Sequence, residues 1–177
     1  SMKKHGSETQ WISLSDMMTS LMMVFLLVSI LFMYQLQKKQ NEQQQLFVEY
    51  KQGKDQIYED LYNTFKDKIK DWQIIIDKDL TIKFTNPEVL FDYQSSALSP
   101  KYTEILTEFI PQYIEIINKP EYKDKIAEVR IEGHTAGWDD YMYTINLSQQ
   151  RANSVLDFIL NSDSYKKLSE PDQAKLR

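Results

Sequence analysis

Asp16 stands inside an almost unbroken apolar run, Trp11 to Tyr34, where an ionisable side chain is costly and therefore informative. Near a bilayer interior a carboxylate costs roughly 2.5–3.5 kcal/mol on insertion scales, so it faces a partner or a water path and marks an ion route. Ser13, Thr19 and Ser20 lie three or four residues from it, a spacing that puts all four side chains on one helical face. The expectation is a polar seam that passes a cation, with Asp16 as carrier and Ser13, Thr19 and Ser20 lining the path. A competing reading makes Ser15-Asp16 a helix cap at the interface, since Met17 to Tyr34 alone would span about 27 Å. Against it stands Trp11, an interfacial residue type five positions earlier, which sets the membrane surface above Asp16.

The elements that must carry this seam follow from length and periodicity. Ile12 to Tyr34 would rise about 35 Å as a helix, enough for a hydrocarbon core of about 30 Å. No small-residue cleavage site follows Tyr34, so the run reads as a retained transmembrane helix over 12–34 behind a short N-terminus, 1–11. Lys3 and Lys4 before the span are matched by Lys38 and Lys39 after it, and charge does not set the orientation. Residues 35–72 read as a helical stalk or linker. Ile57, Leu61, Phe65, Ile69 and Trp72 form a narrow apolar stripe there, and Leu36, Gln40, Gln43, Phe47, Tyr50, Lys54, Ile57 and Leu61 trace a heptad seam too polar for a strong coiled coil. Gly53 is a point where this helix could break.

From Gln73 the pattern becomes α/β. Ile74-Ile75-Ile76 and Leu80 to Phe84 read as strands around an Asp77-Lys78-Asp79 turn. Ser99-Pro100 then opens a helix with Tyr102, Ile105, Leu106, Phe109, Tyr113, Ile116 and Ile117 as its buried stripe and Pro111 as a kink point. Ala127 to Glu132 reads as a further strand, and Leu147-Ser148 precedes a second helix carrying Ala152, Val155, Leu156, Ile159 and Leu160. The fold expected is a single N-terminal transmembrane helix plus an α/β domain of βαβα order over 73–177.

Composition narrows the chemistry. With 21 basic and 26 acidic residues the net charge is −5, and no basic, aromatic-interleaved face suits nucleic acid. The chain has no cysteine, and its two histidines, His5 and His134, stand far apart. Zinc spacings, thiol nucleophiles and paired acid-base clusters are therefore missing, and the expectation is a non-enzyme without metal or cofactor.

Two of only four glycines bracket the turn Gly133-His134-Thr135-Ala136-Gly137 straight after the expected strand. Scarce glycine at a turn points to a positive φ or to close approach of a ligand. The string Val129 to Gly137, followed by Tyr143 to Ala152, resembles the OmpA-type peptidoglycan-binding domain, whose signature is a Gly-His-Thr-Asp turn and a later Leu-Ser-x-x-Arg-Ala. Leu90 to Pro100 is similar to that family's Phe-Asp-x-x-Ser-Ala-x-Leu-x-Pro entry. The resemblance implies wall-peptide binding by Arg151 with Tyr143, Thr144, Leu147, His134 and Thr135. Ala136 stands where the family has its Asp, and Asp139 or Asp140 is the carboxylate near enough to substitute. Arg151 suits a carboxylate because its planar fork can pair with both oxygens. The family also implies at least one more strand after the second helix, so the domain is expected to be incomplete at its C-terminus.

Trp11 to Phe25 resembles the transmembrane helix of MotB-type stator subunits, in which Trp precedes the ion-carrying Asp by five positions and Met-Thr follows it. Among stators the Trp-Ile-Ser start is most similar to that of the Zorya anti-phage motors. This resemblance implies a homodimer inside a multispanning MotA- or ZorA-like ring of five subunits, in the bacterial inner membrane with its C-terminal domain in the periplasm. Proton or sodium translocation would drive the motor. The alternative is a passive tether between membrane and wall with no ion traffic.

Overall fold

The computed structural model describes residues 5–135 and 140–176, apart from the side chains of 5–10, 12, 13, 87 and 88. The chain divides into two units, Ser1–Glu49 and Tyr50–Arg177. Helix α1, His5–Phe65, runs through both.

In the first unit α1 carries nothing but helix, and from Leu14 it is long and apolar enough to cross a membrane. Its large side chains are open, with Phe25 70% and Leu21 72% exposed. A continuous apolar face of this size marks an environment of lipid or partner helices rather than water. Two hydroxyls along it bond back to their own helix, Thr19 Oγ1 to the Ser15 carbonyl at 2.8 Å and Ser29 Oγ to the Phe25 carbonyl at 2.7 Å. That removes free donors from an apolar surrounding without needing a second chain.

The second unit begins with the end of α1, so the expected stalk divides and its C-terminal part belongs to a core. Ile57, Leu61 and Phe65 are buried, at 3%, 1% and 0% exposure. The helix is not broken at Gly53. A Cβ there would come within 2.9 Å of the Lys125 side chain, so the missing side chain gives Lys125 room to lie along the helix. Asp60, one turn from Ile57, accepts from Lys119 Nζ at 2.6 Å and from the Tyr122 hydroxyl at 2.7 Å.

After a short helix α2, Ile69–Trp72, the chain turns at Gln73 (φ 51) into β1, Ile74–Ile76, which pairs antiparallel with β2, Ile82–Phe84. The second strand starts two residues later than its alternation suggests. Leu80 adopts φ 73 and is spent in the turn, where Asp79 accepts from the Thr81 N–H. Following α3, Pro87–Leu90, helix α4 runs over Pro100–Ile117 from the expected Ser99 cap, whose Oγ accepts from the Tyr102 N–H at 3.0 Å. Pro111 sits inside α4 without ending it. Phe109 is the hub of the core, 4.8 Å from Phe65 and 5.5 Å from Phe84 by ring centroid.

Two expectations are corrected in the second half. Ala127 to Glu132 forms no strand: its described ladder is one bond, Val129 N–H to the Lys175 carbonyl. A strand exists only by pairing, and among the described residues the sheet holds β1 and β2 alone. The run still places Val129 and Ile131 against the core. Helix α5, Tyr141–Asn161, begins well before Leu147-Ser148, because Asp140 Oδ1 accepts from the Met142 and Tyr143 N–H groups and caps it there. Helices α6, Asp163–Lys166, and α7, Glu170–Ala174, complete the unit. The α/β character holds, with one hairpin packed under helices.

Candidate functional site

Arg151 projects from the middle of α5 and is buried, at 9% exposure. Its Nε donates to the Ser95 carbonyl at 3.0 Å, and the guanidinium carbon lies 4.7 Å from the centre of the Phe91 ring. Burial pushes the guanidinium below its ordinary value, with the nearby Tyr143 side chain opposing. An arginine remains charged through such shifts. Among the described residues its one hydrogen bond is that from Nε, and no carboxylate pairs with it. A buried cation satisfied along one edge leaves its terminal amines for an anion, and the geometry of that edge fits a carboxylate.

The turn at Gly133 is held against α5. A Cβ on Gly133 would lie 2.0 Å from the Ser148 carbonyl oxygen, so glycine is required by close approach, and that approach is to the helix backbone rather than to a ligand. No described glycine has a positive φ. Thr135 Oγ1 donates to the Thr144 carbonyl at 3.1 Å and lies 2.8 Å from Ser148 Oγ. Thr144 Oγ1 in turn donates to the Asp140 carbonyl. Thr135 and Thr144 thus fasten the turn, and Leu147 on α5 is buried at 9% exposure. Tyr143 is half exposed. His134 points to solvent, its Nε2 3.6 Å from Glu132 Oε2. Ala136 and Asp139 lie outside the described residues, and Asp140 is engaged as the cap of α5.

The structure therefore sets Tyr143, Thr144, Leu147 and Arg151 along the first half of α5, with Thr135 bonded against it. Phe91 and Ser95, which hold Arg151, were not singled out by residue type, although both fall inside the Phe-Asp-x-x-Ser motif. In the other unit Asp16, Thr19 and Ser20 lie on α1 with exposed side chains. The side chain of Ser13 is outside those described.

An OmpA family model matches residues 90–169, which contain both Phe91 and Arg151. A membrane-length apolar helix followed by an OmpA domain is the build of a stator-type B subunit. The chain is 36% identical over 166 residues to the Zorya protein ZorB of Escherichia coli strain Crooks, covering 89% of this chain and 70% of that one. A second Zorya protein ZorB, from Escherichia coli O139:H28, is 28% identical over 183 residues, covering 99% and 72% of the two chains. The chain belongs to the ZorB family.

Proposed function

We propose that this chain is the ion-carrying B subunit of a rotary motor driven by the proton-motive force, serving anti-phage defence. Two copies stand inside a pentameric ZorA-like ring of the MotA type in the inner membrane, and the C-terminal domain grips peptidoglycan in the periplasm. The chain is not an enzyme and needs no cofactor beyond the translocated H⁺ or Na⁺. The observation that carries this reading is one carboxylate, Asp16, within the apolar run Trp11 to Tyr34 of α1. Screened by a ring, a carboxylate is less stable charged and so can load a cation from one side and release it to the other. Each elementary charge moved down the potential delivers about 2.3 kcal/mol per 100 mV, enough to bias one step between near-equivalent contacts with successive ring subunits. Arg151 supports the anchoring half, because a buried cation with no carboxylate partner among the described residues suits the acidic end of a wall peptide.

The test is Asp16→Asn, co-purified with the ZorA-like subunit and reconstituted in vesicles. The amide keeps the shape and loses the titration, so ion flux is expected to vanish while the complex assembles. Undiminished flux overturns the motor reading and leaves a passive tether. Imposing a proton or a sodium gradient in turn identifies the ion.

A further inference from the structure

Against Arg151 lies a side chain to which the motif gives no task. Phe91 is 8% exposed, with its ring under the guanidinium at 4.7 Å. Across from it the ring meets Tyr102 of α4 edge-on, at 5.6 Å and 75°, and Tyr102 is itself buried. The backbone is pinned as well: Phe91 bridges Leu98, and the Ser99 N–H donates to the Leu90 carbonyl at 3.0 Å. Between these points the loop returns the Ser95 carbonyl to Arg151 Nε. The loop is braced from within, Ser95 N–H to the Asp92 carbonyl and Ala97 N–H to Ser95 Oγ.

We infer that Phe91 is a positioning residue for the anionic ligand of Arg151. The ring beneath the guanidinium carbon and the bond at Nε together hold the group at two points, so the two terminal amines meet a carboxylate already aimed. A free arginine would have to be ordered on binding, at an entropic cost that a preset one avoids. The face of an aromatic ring also attracts the cation, which compensates part of its lost hydration. This inference rests on the wall-anchoring half of the proposed function for its ligand, and on the contacts of Arg151 with Phe91 and Ser95 alone for its mechanism.

The chain has three arginines, Arg130, Arg151 and Arg177, so selective ¹⁵N-arginine labelling of the full chain in detergent reads Arg151 directly. Its Nε–H is expected to be shifted by the ring current and slow to exchange. Phe91→Leu and Phe91→Met should remove both signs, and Phe91→Tyr, which restores the ring, should keep them. On purified sacculi, Phe91→Leu is expected to weaken binding about tenfold and Phe91→Tyr hardly at all. Phe91→Leu should add nothing in an Arg151→Ala background. An Arg151 Nε–H that exchanges as slowly in Phe91→Leu and Phe91→Met as in the parent overturns the positioning role, whatever happens on sacculi. Failure of the wild-type chain to bind sacculi, with the Nε–H exchange rate still governed by Phe91, defeats the wall reading and upholds the positioning role.

Discussion

At the scale of single residues the domain depends on places where a side chain is absent as much as on those where one is present. Gly133 has ordinary backbone angles, yet any Cβ would strike the Ser148 carbonyl oxygen at 2.0 Å. Because the obstacle is backbone inside a helix, relief requires the turn or α5 to move. Gly133→Ala is therefore expected to destabilise the domain by about 1–3 kcal/mol, measured as a lower urea midpoint. The same shift lengthens the Thr135 bonds to Thr144 and Ser148, so wall binding should fall in parallel. An alanine variant as stable as the parent would show that the turn can retreat freely. The glycine was legible as a special position from its scarcity, but its reason was not, because the contact is to residues fifteen positions away in sequence.

At the scale of elements, the end of α1 is held by charge as well as by apolar burial. Asp60 takes hydrogen bonds from Lys119 and Tyr122, and the Lys119 bond first, then the Tyr122 bond, hold its carboxyl below the usual carboxylate range. The bonded carboxylate is about one-third exposed, so the pair is screened and worth about 0.5–1 kcal/mol. A depressed acid adds stability that is fully present above its unfolded value, near 3.8, and that fades as pH falls through the lower folded value. Asp60→Asn should thus be less stable than the parent at pH 7, and the gap should close in urea melts taken below about pH 4. A gap unchanged at pH 3 would assign the effect to packing instead. Elements with local signals were legible: the β1–β2 hairpin, the Ser99 cap and the stripe on α4 are all written within a few residues. The Asp60 bonds were not, since they join residues 59 and 62 positions apart. The expected strand at Ala127 to Glu132 shows the converse limit. Alternation describes two faces of a segment and says nothing about whether a neighbour is present to pair with it. Asp140 started α5 six residues before the Leu147-Ser148 motif because a capping side chain outweighs the change in apolar spacing that suggested the later start.

At the scale of the whole molecule, the stripe Ile57, Leu61, Phe65, Ile69 and Trp72 was readable as a helical face, but its partner was not. Such an apolar stripe looks alike whether it faces a second copy in a coiled coil or its own domain. Burial decides the matter: Phe65 is fully enclosed, 4.8 Å from Phe109 and 5.9 Å from Trp72 by ring centroid. Enclosing each such side chain contributes about 1.5–3 kcal/mol, and the three on α1, Ile57, Leu61 and Phe65, together are comparable with the whole stability of a domain this size, about 5–15 kcal/mol. The folding unit must then include the last turns of α1. A fragment of residues 50–177 is expected to unfold cooperatively in urea, followed by circular dichroism, whereas a fragment of residues 73–177 should show no such transition. Within the longer fragment, Leu61→Ala, at a site 1% exposed, should cost about 2–5 kcal/mol. Equal, cooperative transitions for the two fragments would mean that the end of α1 rests on the domain without holding it together, and the helix would then be free to detach under load.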